Sequence, residues 1–296
     1  MSKCNICPRK CGVDRASGRL GVCNAPDAAF VAKTMLHGWE EPCISGKNGA
    51  GTVFFAGCNL HCVYCQNRDI SGGACGREMS PDELETAIFD LVAEGAECVE
   101  LVTPTHYTVA LARMLARIKP RLTVPVVWNS GGYESVGALR LLEGLVDVYM
   151  PDFKYYDSKI AEAYSSAPDY PCVATDAVGE MLRQVGKPRF DDRGMMRGGV
   201  LVRHLVLPGH REDSAKVLRH LAAEFGAESM RLSLMSQYTP DFYIDSGCVG
   251  NFKNLSRRVT SFEYDSVMRL ALELGFEGYF QQISSADRKY TPKFKE

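Results

Sequence analysis

The chain has 296 residues, 46% of them hydrophobic and 24% charged, with a formal net charge of −2. That suits one large α/β domain with a small appendage, or two modest domains. No lysine- or arginine-rich run is present, which excludes the electrostatic footprint of a nucleic-acid binder, and no apolar run reaches the roughly 18 residues of a membrane span. Met1-Ser2-Lys3-Cys4-Asn5-Ile6-Cys7 lacks the apolar core of a signal peptide. The expectation is a cytoplasmic protein whose 12 cysteines serve as metal ligands rather than disulfides.

The first cysteine group is Cys4-x2-Cys7-x3-Cys11-x11-Cys23, set among Pro8, Gly12, Gly18 and Gly21. So loop-rich a segment has too few apolar residues for its own core, and four thiolates around one metal centre would staple it. The spacing admits zinc or an iron–sulfur cluster. Cys43 either replaces one of the four or packs. This segment, 1–46, reads as a Cys-rich metal-binding extension.

Thr52–Ala56 reads as the first strand of a core spanning 47–240. It feeds Gly57-Cys58-Asn59-Leu60-His61-Cys62-Val63-Tyr64-Cys65-Gln66-Asn67. One loop can turn Cys58, Cys62 and Cys65 toward a common point. A four-cysteine protein closes every iron of a [4Fe–4S] cube, whereas three cysteines leave one iron open.

Pro81–Gly95 is predicted helical, with Ser80 as N-cap and Glu83 completing a capping box. Strands follow at Cys98–Val102, Val124–Asn129, Val146–Met150, Val200–Leu207 and Met230–Met235. Helices are expected at Val109–Ile118, Glu134–Leu145 and Ser214–Phe225, with a helical excursion from Ser158 to Gly186. Residues 241–296 read as a helical extension, with a helix at Arg257–Leu274 and an extended segment at Phe276–Gln282. Strands alternating with helices imply a parallel sheet. An open Rossmann-type sheet and a curved barrel both fit the count, and either puts its chemistry at the carboxyl ends of the strands.

Cys58-x3-Cys62-x2-Cys65, with Tyr64 before the last cysteine, resembles the cluster motif of radical S-adenosylmethionine (SAM) enzymes. Gly57-Cys58-Asn59-Leu60 and Cys65-Gln66-Asn67 look like the branch of the pyruvate formate-lyase activating enzymes and their uncharacterised homologues. The likeness runs to about Gln282. It implies a partial (β/α)6 barrel, a [4Fe–4S] cluster on the three cysteines, and SAM on the open iron. One electron from the cluster then cleaves SAM to methionine and a 5′-deoxyadenosyl radical, which takes hydrogen from a substrate. The implied substrate is a glycine of a glycyl radical enzyme, and the implied reductant a flavodoxin- or ferredoxin-type protein. Such chemistry beside the first cysteine group inclines that group toward a second iron–sulfur cluster.

The resemblance also assigns residues. Tyr64 would pack on the adenine. Thr103, Thr105 and His106 stand where activating enzymes usually carry Gly-Gly-Glu-Pro, so SAM would meet hydroxyls and a ring instead. His106 alternatively serves the substrate as a proton donor or acceptor, or makes a structural hydrogen bond. Asn129-Ser130-Gly131 would be a SAM-approaching turn, since glycine lets the backbone come close. Lys154 would meet the SAM carboxylate, with Asp152 at a cation site where Asn129 replaces a common carboxylate. Arg203, a charge inside an apolar strand, is costly unless paired and would contact SAM, and Gln237 would face the mouth. Two other classes fit the same residues: a radical SAM enzyme acting on a small molecule or another peptide, and a non-catalytic iron–sulfur or zinc carrier.

Overall fold

Parallel neighbours need long crossovers, and the sequence supplies a helix after most of its strands. The computed structural model describes residues 3–245, 251–285, 292 and 294. Its strands are β1 Ala29–His37, β2 Ala50–Phe55, β3 Arg77–Met79, β4 Val99–Val102, β5 Val126–Ser130, β6 Val148–Pro151, β7 Arg189–Phe190, β8 Met196–Leu205, β9 Arg231–Met235 and β10 Gly278–Phe280. They form one sheet in the order β10-β9-β8-β6-β5-β4-β2-β1-β3, with β7 beside β8. From β2 to β10 along that path every pairing is parallel, while β1 runs antiparallel to both β2 and β3. The sheet is curved, because residues at the carboxyl ends of β2, β4, β5, β6, β8 and β9 all line one cavity. This is the expected partial barrel, extended by β10 at one edge and by β1 and β3 at the other.

The parallel centre of the sheet, β2 and β4 to β6, is buried on both faces, as parallel sheets are. Every residue of β2, β4, β5 and β6 is buried. Helix Pro81–Ala93 begins at the expected capping box on Ser80 and Glu83 and buries Leu84, Ile88 and Leu91. Each such side chain contributes roughly 1.5–3 kcal/mol on full burial.

β1, β3 and β7 are absent from the sequence reading, and one expected helix is shortened. β1 lays the N-terminal stretch along the barrel edge, pairing His37 with Ala50. The helix expected at Glu134–Leu145 contracts to Val136–Leu139 and a 3-10 turn, Arg140–Leu142. Its first residue is used elsewhere: Glu134 is buried and accepts hydrogen bonds from Trp128, Ser130 and Thr105. Of the cysteines outside the two groups, Cys98 is buried, Cys172 is exposed, and Cys248 lies outside the described residues. Cys43 is buried in a separate cluster with Ile44, Cys98 and Val127.

Candidate active site at the carboxyl ends of the strands

The cysteine loop leaves β2 through Gly57, whose φ of +87° suits a residue without Cβ. An added Cβ there would sit 2.6 Å from the Cys23 carbonyl oxygen. The loop is pinned along its length: the Cys58 amide donates to Cys23 O (3.1 Å), Val63 to Tyr164 O (2.9 Å) and Cys65 to Cys62 O (3.0 Å). The Ser165 hydroxyl donates to Cys62 Sγ at 3.0 Å. Cys58, Cys62 and Cys65 all line a cavity of about 1210 Å³, open mouth included. Burial, then Cys62 and Cys58 nearby, push the Cys65 thiol up to about 12. Burial raises Cys58 as well.

Opposite the loop lies a charge network. Arg203 donates to Asp152 Oδ1 (3.1 Å), Asn129 Oδ1 (2.8 Å) and Glu40 Oε2 (3.2 Å). Lys154 Nζ donates to Asp152 Oδ2 at 2.6 Å. Burial works against the Asp152 charge, but Lys154 and Arg203 outweigh it and hold the carboxyl below its usual range. Burial likewise opposes the Lys154 charge, and Asp152 more than offsets it. Asn129 passes the network inward by donating to Glu100 Oε1 at 2.7 Å, and Thr52 holds the other oxygen at 2.8 Å. Glu100 is fully buried, and burial raises its pKa despite those two bonds.

Most residues singled out from the sequence border the same cavity: Tyr64, Thr103, Thr105, Asn129, Ser130, Gly131, Asp152, Lys154, Arg203 and Gln237. Tyr64 is buried, with its hydroxyl 2.6 Å from that of Tyr155. Thr103 takes φ +56°, so the backbone keeps a conformation that glycine would favour although a β-branched residue stands there. The Ser130 and Thr105 hydroxyls are committed to Glu134.

His106 is not on the cavity wall. Its Nε2 lies 2.9 Å from Ala56 O, its Nδ1 is buried without a partner, and burial lowers its pKa to about 3. The carboxylates Glu40, Glu100 and Glu134 escaped the sequence reading. A polar residue alternating with apolar ones inside a buried strand, as in Val99-Glu100-Leu101, is the one signal that pointed to any of them.

The N-terminal cysteines pack against the back of the loop. Cys4 N donates to Val13 O (2.8 Å) and Gly12 N to Cys4 O (3.0 Å), folding Cys4 toward Cys11. An added Cβ on Gly21 would lie 2.7 Å from Cys11 Sγ. Cys7 and Cys23 are buried. Among the described residues no three Cys, His, Asp or Glu side chains are gathered closely enough to hold a single metal ion. A [4Fe–4S] cluster asks for a wider spacing, because each cysteine ligates a different iron. Cys58, Cys62 and Cys65 fit that demand as half-buried thiolate donors on one loop facing a common cavity. Thr239 Oγ1, buried without a protein partner on the same wall, leaves a polar atom for a ligand.

The radical SAM superfamily profile matches residues 52–222, more than half of the chain, from β2 through the helix that follows β8. The chain belongs to the radical SAM superfamily. Membership implies a [4Fe–4S] cluster and SAM, and assigns the chain to radical SAM enzymes in general. An uncharacterized protein of Methanocaldococcus jannaschii is 26% identical over 280 residues, covering 92% of this chain and 75% of that one. A solved structure, methylornithine synthase, aligns over 80% of this chain and 74% of its own, at 14% identity and a TM-score of 0.46. Among the described residues no helix is long and apolar enough to cross a membrane.

Proposed function

We propose that this radical SAM enzyme abstracts hydrogen from a glycine of a partner glycyl radical enzyme. The observation behind the general reading is that Cys58, Cys62, Cys65, Asp152, Lys154 and Arg203 share one cavity wall. When bound, a reduced [4Fe–4S] cluster supplies the one electron that cleaves SAM to methionine and a 5′-deoxyadenosyl radical. The chain's own residues bind and orient. Lys154 offers an ammonium to the SAM carboxylate, Arg203 holds the network in register, and Tyr64 gives the adenine an aromatic wall. The buried tyrosines around Tyr64 exclude water from the radical. The partner reading rests on Gly57-Cys58-Asn59-Leu60 and Cys65-Gln66-Asn67.

A second reading, a small molecule or other peptide as substrate, is favoured by a mostly polar chamber beside the first cavity. In both, a flavodoxin- or ferredoxin-type protein in the cytoplasm delivers the electron. Cys4, Cys7, Cys11 and Cys23 hold a second iron–sulfur cluster or zinc, supported by their packing against the cluster loop. The test is anaerobic reconstitution with iron and sulfide, followed by reduction and mixing with candidate partners. A glycine-centred radical on a partner supports the first reading. Deoxyadenosine without any protein radical overturns it in favour of the second. Iron and zinc counts in Cys58→Ala/Cys62→Ala/Cys65→Ala decide the N-terminal metal, and neither metal in that variant overturns the second site.

A further inference from the structure

A second chamber of about 930 Å³, open mouth included, adjoins the first and shares Asn129, Arg203 and Gln237 with it. Both edges of the open barrel wall it: His37 comes from β1, and Ser233 and Tyr279 from β9 and β10. It therefore fills the gap that the incomplete barrel leaves, next to the cavity behind the cysteine loop. A substrate held there lies beside SAM without competing for the cysteine loop.

The wall carries buried acceptors that the protein leaves unused. Glu41 is 9% exposed, yet its Oε2 is buried with no hydrogen-bond partner. Ser233 is 1% exposed and its Oγ is in the same state, as is Asn67 Oδ1. Three residues that line the chamber thus each carry an orphaned polar atom, and this points to a ligand, since leaving such a group unsatisfied costs about 1–3 kcal/mol. Glu41 Oε2 and Asn67 Oδ1 can only accept, so that ligand is a donor.

Its charge follows from the groups around it. Among the described residues of the two cavities and the network beneath them, Glu40, Glu41, Glu100 and Asp152 face only Arg203 and Lys154. Arg203 is divided between Asp152 and Glu40. His37, 3.7 Å from Glu40, is pushed toward its neutral form by burial and adds no cation. Burial, then Glu100, raises Glu40. A positive group in the chamber relieves this excess of buried carboxylates.

We propose that this chamber is the substrate site and that it takes a protonated amine, whose N–H groups donate to Glu41 and Ser233. The inference rests on the second reading above, a radical SAM enzyme acting on a small molecule or other peptide, and names the substrate class of that site. The amine belongs either to a small molecule or to a lysine side chain of a peptide. Both present the same ammonium.

Binding to the full chain is measured directly by ligand-observed NMR, without SAM turnover. The probes are n-butylammonium, the N-acetylated, C-amidated peptide Ala-Lys-Ala, and their counterparts without the ammonium, 1-butanol and N-acetylated, C-amidated Ala-norleucine-Ala. Wild type should bind the amines saturably at millimolar concentration and the neutral probes more weakly by about tenfold or more. Glu41→Gln should abolish that selectivity, and Ser233→Ala should weaken it. The tighter of the two amines identifies the source. Equal binding of amine and neutral probe in wild type, no saturable amine binding, or unchanged selectivity in Glu41→Gln each overturn the proposal. The wild-type comparison needs no variant to fold. Lys293 adjoins Pro292, which lines the chamber, and lies outside the described residues. Tighter amine binding by Lys293→Ala would assign the site to the chain's own lysine and overturn the proposal, so unchanged binding is expected. Loss of the radical SAM reading shows separately, as no deoxyadenosine from cluster-loaded wild type.

Discussion

Arg203 Nε meets Asp152 Oδ1 at 3.1 Å where the two parallel strands bridge, and Lys154 closes on the other Asp152 oxygen at 2.6 Å. One carboxylate thus holds two cations, whose side chains are only 17% and 18% exposed. Asp152→Asn leaves Lys154 uncompensated and Arg203 with Glu40 alone. The expected loss is about 3–5 kcal/mol in urea unfolding, the cost of stranding a buried charge. Lys154→Met in the same background should recover part of it, and no recovery would show that the carboxylate acts through something other than this pair.

Gly132 has φ +74°, and a Cβ there would run into the Asp152 carbonyl oxygen, which is backbone and cannot swing away. Gly132→Ala should therefore destabilise by about 1–3 kcal/mol, the range for overpacking. It should also weaken SAM binding, because Asp152 must move. Wild-type stability and SAM affinity in this variant would contradict the packing described.

His106 stays neutral in the fold, with a pKa lowered from 6.5 to about 3 by burial. The unfolded ring takes up its proton as pH drops through 6.5, and the folded ring does not until about 3. Its contribution is therefore complete above the unfolded value and is lost as pH falls across that window. The slope is at most about 1.4 kcal/mol per pH unit. His106→Gln should remove that slope, so the stability difference from wild type should shrink on acidification. A difference that does not change with pH would contradict it.

Ser80 caps helix Pro81–Ala93 through the Glu83 amide, and Glu83 returns a bond to Ser80 N at 2.8 Å. Ser80→Ala should cost about 1 kcal/mol in thermal or urea unfolding. An unchanged midpoint would mean the box adds nothing beyond its propensity.

That box shows what the sequence made legible. Signals confined to a few residues came through: the cap, the cysteine loop, and the Asp152-Lys154 pair at a strand end. Arg203 was legible because a charge in an apolar strand needs a partner, although the partners themselves lay 51 and 163 residues away. Glu40-Glu41 belongs to no motif in the sequence. Only the pairing of β1 with β2, which no local pattern announced, carries them into the barrel. Glu134 escaped for the opposite reason: its place at a good helix start masked its capture by Trp128, Ser130 and Thr105. Position 103 carries threonine where glycine would be easiest, so its left-handed backbone could not be foreseen from residue type.

The central claim is that the cavity behind Cys58, Cys62 and Cys65 performs reductive cleavage of SAM. It is tested most directly by assaying 5′-deoxyadenosine from the anaerobically reconstituted, reduced protein, beside Cys58→Ala/Cys62→Ala/Cys65→Ala. The account predicts deoxyadenosine from wild type and none from the triple variant. A wild type that holds a full, reducible cluster and binds SAM, yet forms no deoxyadenosine, would contradict it and leave a carrier role.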